Sequence, residues 1–283
     1  LFLLMVPGMP HLCPWLAHPY GPSWSLDLPF LVARNALGLL VLSLLGLAMI
    51  RRSLRVDFGV LGERGEAPRG PIARLLTRGW KGGARELPAA GKRLRLLAPL
   101  YAVLFALVLT GIGVDLIMSL THLWYSTLMG AYYFVGAFYI SLGALLAGVI
   151  WLRRRFGLRD RILPGHLHDV AKLAMGFGLL VSYFYYVHVF IIWYGNLPEE
   201  VPILIDRLHG SAWRALGVLS LVFCFAFPLA AMLHEGLKKR GGPMLLFAFM
   251  VLGTMWMQFF LLVGPPVTGT ASVGFGLFEV LVR

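Results

Sequence analysis

Six runs of about 20 apolar residues constrain this chain more than any other feature of its sequence. A run of this length crosses a hydrocarbon core of about 30 Å as a helix, since backbone groups in lipid must be hydrogen-bonded within their own segment. The composition, with 59% apolar and 13% charged residues, excludes a soluble globular domain. We therefore predict an all-α membrane protein, a multi-pass transmembrane helix bundle with at least six complete spans. The runs cover 28–50, 97–119, 128–152, 169–194, 213–234 and 243–263.

The two ends of the sequence read as parts of further helices. Leu1–Val6 is apolar like the end of a preceding helix, and Phe275–Arg283 is apolar like the start of a following one. We expect a single transmembrane domain over 1–283 that is truncated at both ends.

The distribution of charge predicts the orientation of the helices. Twelve Lys/Arg and four Asp/Glu lie between Arg51 and Arg95, whereas 7–27 and 120–127 contain no Lys/Arg and 195–212 contains only Arg207. Basic connections stay in the cytoplasm. We therefore place the basic loop 51–96 inside and the Pro/Trp-rich segment 7–27 outside, as an ordered cap. Anionic lipid headgroups account for the net charge of +12 without a nucleic-acid partner.

The basic loop 51–96 contains scattered Gly and Pro residues. Such a composition predicts irregular structure over most of its length. We expect one short amphipathic piece, at Ile72–Trp80. The loop is the expected docking surface for lipid or for a cytoplasmic partner.

Few residues could ligate a redox cofactor. Cys13 and Cys224 are the only cysteines and no CxxC occurs, so we expect neither haem c nor an iron–sulfur cluster in this chain. A b-type haem needs two histidines at similar depth, and only His188 lies well inside a predicted span. Glycine loops for nucleotides, catalytic triads and HExxH motifs are absent, so we predict no catalytic residue and no metal site.

The span 169–194 carries the most informative polar residues. Asp169 and Lys172 open it on one face, and Tyr183 and Tyr186 continue the same stripe. Ionisable groups this close to lipid are rare, and they serve structure or the traffic of protons and ligands. Two interpretations stay open: a capped, aromatic-packed helix, or a proton path or quinol pocket.

Further candidates for a proton path or quinol pocket belong to the outer half of the bundle. Asp115, near the outer end of its span, either accepts protons or hydrogen-bonds a neighbouring helix. Glu199 follows a helix end, where a solvated turn is the simpler interpretation. The remaining candidates are His188, His122 and Tyr125.

Five segments of the sequence resemble the NrfD-like family of membrane subunits. The resemblance runs from about His11 to Pro266 and is closest to the second such subunit of bacterial alternative complex III, the ActF type. Its most specific motif is WY-x-N-x-PEE. The segments are HLCPWLAHP (His11–Pro19), LPFLVARNAL (Leu28–Leu37), SLTHLWYST (Ser119–Thr127), LHDVAKL (Leu167–Leu173) and IIWYGNLPEE (Ile191–Glu200).

The resemblance implies a subunit of a quinol-oxidising electron-transfer complex in the bacterial inner (cytoplasmic) membrane. Its partners would be a second NrfD-like subunit, a multihaem cytochrome c and an iron–sulfur subunit, with menaquinol or ubiquinol as electron donor. The haem c groups and iron–sulfur clusters would reside in those partners. This chain would be a non-catalytic or quinol-site-supporting subunit with scaffolding and proton-conducting roles.

The resemblance also assigns individual residues. It places Asp169 and Lys172 on an inner polar patch, and the outer candidates on the opposite side. The outer candidates are Asp115, His122, Tyr125 and Glu199. One departure is that Met255–Pro266 lacks the charged groups of a through-membrane proton route.

Two other functions remain open. A quinol-binding NrfD-like anchor of a molybdenum or iron–sulfur oxidoreductase would need a headgroup pocket lined by a carboxylate and a His or Tyr. A transporter would show broken helices at mid-depth. Only Pro228 interrupts the middle of a predicted span, which disfavours a transporter.

Overall fold

The computed structural model describes residues 9, 15, 27–66, 70–121, 124–158, 160–208, 213–220, 222–223 and 241–268. These residues form helices and their connections and contain no strand, so the prediction of an all-α chain is confirmed. A 3₁₀ turn at Met118–Leu120 follows the third helix. The helices are α1 (Leu28–Glu63), α2 (Pro71–Thr77), α3 (Gly83–Leu116), α4 (Leu128–Arg155), α5 (Pro164–Gly195), α6 (Val201–Leu208) and α7 (Gly241–Thr268).

Five of these helices, α1, α3, α4, α5 and α7, are long and apolar enough to cross a membrane. They correspond to five of the six predicted spans. The sixth predicted span, 213–234, lies mostly outside the described residues, although 214–220 and 222–223 are helical. Six complete spans and an NrfD-like arrangement therefore stay predictions. The cap predicted over 7–27 also lies almost wholly outside the described residues.

The expectation of irregular structure over most of 51–96 is wrong. Helix α1 continues to Glu63, and α3 already begins at Gly83. Arg, Leu and Ala are strong helix formers, so a basic composition does not interrupt a helix that an apolar run has begun. The short piece predicted at Ile72–Trp80 corresponds to the helix α2, which buries Ala73 and Leu76 but exposes Ile72 and Leu75.

The chain divides into two compact units, and the first contains α1, α2 and α3 up to residue 108. Close contacts at glycines join its helices. Gly38 of α1 faces the side chain of Val108, and Gly59 lies against the indole ring of Trp80, where a Cβ atom would collide. The indole N–H of Trp80 donates to the Glu63 carboxylate at 2.9 Å, which holds the connection between α2 and α3 against the end of α1.

The second unit contains the end of α3 and helices α4 to α7. Helix α4 packs against both α5 and α7, and α6 packs against α5 and α7. Small residues bring the helices close together, as they do in many membrane bundles. Gly143 of α4 meets Val251 of α7, and Gly178 of α5 meets the Tyr139 hydroxyl of α4. The apolar core of this unit positions the polar residues described next.

Candidate functional site

A small cavity of about 50 Å³, lined mainly by apolar surface with a few polar groups, lies among α4, α5, α6 and α7. It is near the helix ends that the charge pattern places outside the cytoplasm. Its apolar wall includes Met129, Ile192 and Leu262. Because each water molecule needs about 10–15 Å³ of such space, the cavity has room for about three to five waters. The side chains with polar groups in its wall are Trp124, Tyr132, Tyr185, His188, Arg207 and Gln258.

His188 of α5 joins this cavity to the connection before α4. Its Nδ1 lies 2.8 Å from the carbonyl oxygen of Phe184, one turn earlier, and its Nε2 lies 3.1 Å from Oγ of Ser126. A carbonyl can only accept, so Nδ1 carries the proton in the neutral ring and Nε2 accepts from Ser126. The rings of Trp124 and Tyr132 contact the imidazole edge-on. The imidazole therefore has a fixed orientation and a basic nitrogen directed at a hydroxyl.

Tyr132 and Gln258 form the second polar pair of the cavity. The Tyr132 hydroxyl donates to Oε1 of Gln258, which joins α4 to α7. Gln258 is only 1% exposed, and its Nε2 has no hydrogen-bond partner among the described residues. A buried amide donor left unsatisfied costs about 1–3 kcal/mol. The Nε2 group is thus a donor available to a water molecule or a ligand in the cavity.

Among the described residues of the cavity wall, Arg207 of α6 is the only charged one, and it is 7% exposed. Its Nε and Nη2 donate to the carbonyl oxygens of Leu261 and Leu262, each at 3.0 Å. Pro265 and Pro266 lie four residues after these two and have no N–H group, so they cannot supply the helical hydrogen bonds to those carbonyls. Arg207 replaces both missing donors. Its charge also lies at the C-terminal end of α7, which the helix dipole favours.

The four candidates on α5 share one exposed face. Asp169, Lys172, Tyr183 and Tyr186 are all exposed, and the Tyr183 side chain retains 58% of its accessible surface. Helix α5 begins at Pro164, so Asp169 lies in its second turn and is not a cap. The described residues also show no Asp169–Lys172 ion pair. The predicted cap at Asp169 is therefore wrong, whereas the stacking of Tyr186 on Phe190 fits an aromatic-packed helix. The proton path or quinol pocket stays a prediction.

The other predicted residues are scattered, and only His188 lines the cavity. Asp115 is buried at the end of α3, where its backbone carbonyl accepts a hydrogen bond from Ser119. Tyr125 and Glu199 are exposed in connections. His122 lies outside the described residues. The structure therefore brings His188 together with residues that the sequence did not single out.

Four residues in or beside the cavity were not predicted as site residues from the sequence, namely Ser126, Tyr132, Arg207 and Gln258. The sequence contains a signal for Arg207 only. Pro265 and Pro266, at the end of an apolar run, leave two backbone carbonyls without donors, and Arg207 is the one basic residue in the neighbouring outer connection. Tyr132 and Gln258 give no such signal, because their pairing depends on how α4 and α7 pack. Within the described parts of the chain, no group of three or more His, Cys, Asp or Glu could hold a metal ion.

Comparison with known proteins gives no assignment: no protein-family model matches this chain, and no curated protein matches it.

Proposed function

We propose that this chain is an integral membrane subunit of a quinol-oxidising electron-transfer complex of the alternative complex III type. In this role it supports neighbouring redox subunits and conducts protons at the outer side of the membrane. The haem c groups, the iron–sulfur clusters and the catalytic steps belong to the partner subunits.

The observation that carries this proposal is the convergence of two of the NrfD-like segments on the cavity that His188 lines. Ser119–Thr127 contributes Trp124 to its wall and Ser126 as the partner of His188. Ile191–Glu200 contributes Ile192 from the end of α5. The two segments are more than 60 residues apart in the sequence.

The size of the cavity favours proton transfer over quinol binding. Sites for small organic molecules usually measure about 300–1,000 Å³, whereas this cavity measures about 50 Å³. A few waters fit, and they would reach the Tyr132 hydroxyl and Nε2 of Gln258 beside the hydrogen-bonded His188–Ser126 pair. Hydroxyl, imidazole and water groups of this kind can pass protons along a hydrogen-bonded chain.

The exposed stripe of α5 supports a place inside a larger assembly. Asp169 and Lys172 would be costly to leave against acyl chains. A neighbouring membrane subunit that covers this face would supply polar partners for both. The stripe is continued by further exposed residues, namely Gly176, Leu180, Phe190 and Tyr194.

The test is a His188→Phe substitution in the assembled complex. We expect proton release coupled to quinol oxidation to fall by about 10²-fold, the lower range for a positioned proton-transfer group. His166→Phe is the matched control, because His166 is exposed at the start of the same helix. If His188→Phe prevents assembly, Ser126→Ala removes the donor to Nε2 with a smaller change in packing. Unchanged proton release in both assembled variants contradicts the proton-conducting role.

A second candidate function is quinol binding by an NrfD-like anchor of a molybdenum or iron–sulfur oxidoreductase. His188, Tyr132 and the unpartnered Nε2 of Gln258 are groups that a quinol headgroup could bond. The cavity would have to widen, since about 50 Å³ does not hold a ring with substituents. In that case Gln258→Leu would raise KM for quinol with little effect on kcat, which is the signature of lost binding.

A further inference from the structure

A second and larger cavity lies in the unit formed by residues 27–108. It has a volume of about 780 Å³ and is bounded by the middle of α1 and by the first turns of α3. This volume is within the usual range for ligand sites. It lies on the side that the charge pattern assigns to the cytoplasm.

The wall of this cavity is strongly basic. Glu86 is the only acidic residue among the described residues of this wall. The side chains of four basic residues, Arg51, Arg52, Arg85 and Arg93, make no hydrogen bond or ion pair with another described residue. Guanidinium groups present paired N–H donors that match phosphate oxygens. The six basic residues of the wall are Arg51, Arg52, Arg55, Lys81, Arg85 and Arg93.

One arginine holds the wall in place. Arg55 donates to both carboxylate oxygens of Glu86, each at 2.7 Å. Its guanidinium also donates to the carbonyl oxygens of Leu76, Arg78 and Gly79. This network ties α1 to the end of α2 and to the start of α3. The single acidic residue is thereby neutralised, and the free arginines lie on a fixed scaffold.

The cavity continues into an apolar surface at membrane depth. Leu44, Leu47 and Ala48 belong to its wall and precede Arg51 by one to two helical turns. Leu44 and Leu47 are 57% and 62% exposed, within the first predicted span. A ligand that matches both surfaces has an anionic head and an apolar tail. Basic pockets between transmembrane helices on the cytoplasmic side bind the headgroups of such lipids.

We propose that this cavity is a specific binding site for an anionic phospholipid of the cytoplasmic leaflet. The headgroup phosphate binds among Arg51, Arg52 and Arg85, and an acyl chain lies along Leu44 and Leu47. This proposal depends only on the membrane location of the chain and is independent of the quinol-related function.

The test compares two triple variants of the full chain in nanodiscs that contain phosphatidylglycerol and phosphatidylcholine, with retained lipid measured by native mass spectrometry. Arg51→Gln/Arg52→Gln/Arg85→Gln should weaken the apparent affinity for phosphatidylglycerol by about 100-fold. Arg154→Gln/Arg155→Gln/Arg161→Gln removes the same charge from exposed positions on the same membrane side, outside the cavity. This control should retain phosphatidylglycerol like the unmodified chain. If the cavity variant does not fold, Arg85→Gln alone should weaken binding by about fivefold.

Two results would overturn the proposal. Equal loss of phosphatidylglycerol from both triple variants would mean unspecific attraction to a basic surface. Displacement of the lipid by millimolar glycerol phosphate or inorganic phosphate would mean a site for a free anion, in which Leu44 and Leu47 have no role. Retention of phosphatidylglycerol against both soluble phosphates, combined with loss in the cavity variant alone, supports the proposal.

Discussion

Arg207 donates a hydrogen bond from Nε to the carbonyl oxygen of Leu261 at 3.0 Å, in the place of the backbone N–H that Pro265 lacks. The Nη2 group likewise donates to the carbonyl oxygen of Leu262, in the place of the backbone N–H that Pro266 lacks. Arg207→Met should therefore leave two buried carbonyls without donors, at about 1–3 kcal/mol each. We expect a clear fall in the thermal unfolding temperature of the detergent-solubilised protein.

A double-mutant cycle distinguishes this explanation from a general loss of packing. Pro265→Ala/Pro266→Ala restores both backbone N–H groups, so Arg207→Met should cost much less in that background. Arg214→Met is the control, because Arg214 is exposed and should tolerate the change. An equal cost of Arg207→Met with and without the prolines would mean that the carbonyls are not the reason for the arginine.

Asp169→Asn tests the proton path that the sequence predicts along the stripe of α5. The carboxylate lies on the exposed stripe of α5, near the cytoplasmic end of the helix. In the assembled complex we expect the amide to slow quinol-coupled proton movement, because it cannot exchange a proton at neutral pH. Asp160→Asn, at an exposed position in the connection before α5, should have no effect. Unaltered quinol oxidation and proton release in the Asp169 variant would remove Asp169 from the route.

The Arg55–Glu86 ion pair predicts a pH dependence of stability outside the membrane. The hydrogen bonds from Arg55 lower the pKa of Glu86 from 4.5 to about 2. Because the folded-state pKa is the lower one, the pair stabilises the fold fully above about pH 4.5 and loses this effect as the pH falls towards 2.

Glu86→Gln should consequently lower the unfolding temperature at pH 7. The difference from the unmodified protein should shrink as the pH falls from about 4.5 towards 2, because the Glu86 carboxylate is protonated more readily in the unfolded chain than in the fold. Glu66→Gln is a matched control, since Glu66 is exposed and forms no ion pair among the described residues. A difference that stays constant with pH would show that the ion pair does not stabilise this region.

The exposed stripe of α5 predicts contact with another subunit. A photo-crosslinking amino acid in place of Tyr183 should yield an adduct with a second protein in native membranes. The same amino acid at Met175, which is buried in the core of the second unit, should give only adducts within the chain. Adducts of position 183 with lipid alone would show that this face is directed at acyl chains.

The sequence alone predicts the apolar helices well, but it does not predict most of the residues that line the cavity among α4, α5, α6 and α7. The length of an apolar run is a local property, so the helix from Leu128 to Arg155 begins at its predicted position. The cavity depends on side chains from four helices that meet only after packing. Of its residues, His188 alone was predicted, because an imidazole inside an apolar run is costly wherever its partner lies.

The error over 51–96 has a different cause. Scattered Gly and Pro residues predict irregular structure, yet Gly59 lies within α1 and Pro88 lies within α3. Gly59 is needed for the close approach of Trp80. The glycine at position 59 therefore reflects a tertiary contact, which a rule based on local sequence cannot predict.

The most direct measurement is the isolation of the affinity-tagged native chain from its own membranes under mild detergent, followed by mass spectrometry and absorption spectroscopy of the purified sample. We expect a second NrfD-like subunit, an iron–sulfur subunit and a multihaem cytochrome c to copurify, with haem absorption that quinol reduces. Isolation of an active oligomer of this chain alone, without haem or iron–sulfur partners, would contradict its role in quinol oxidation.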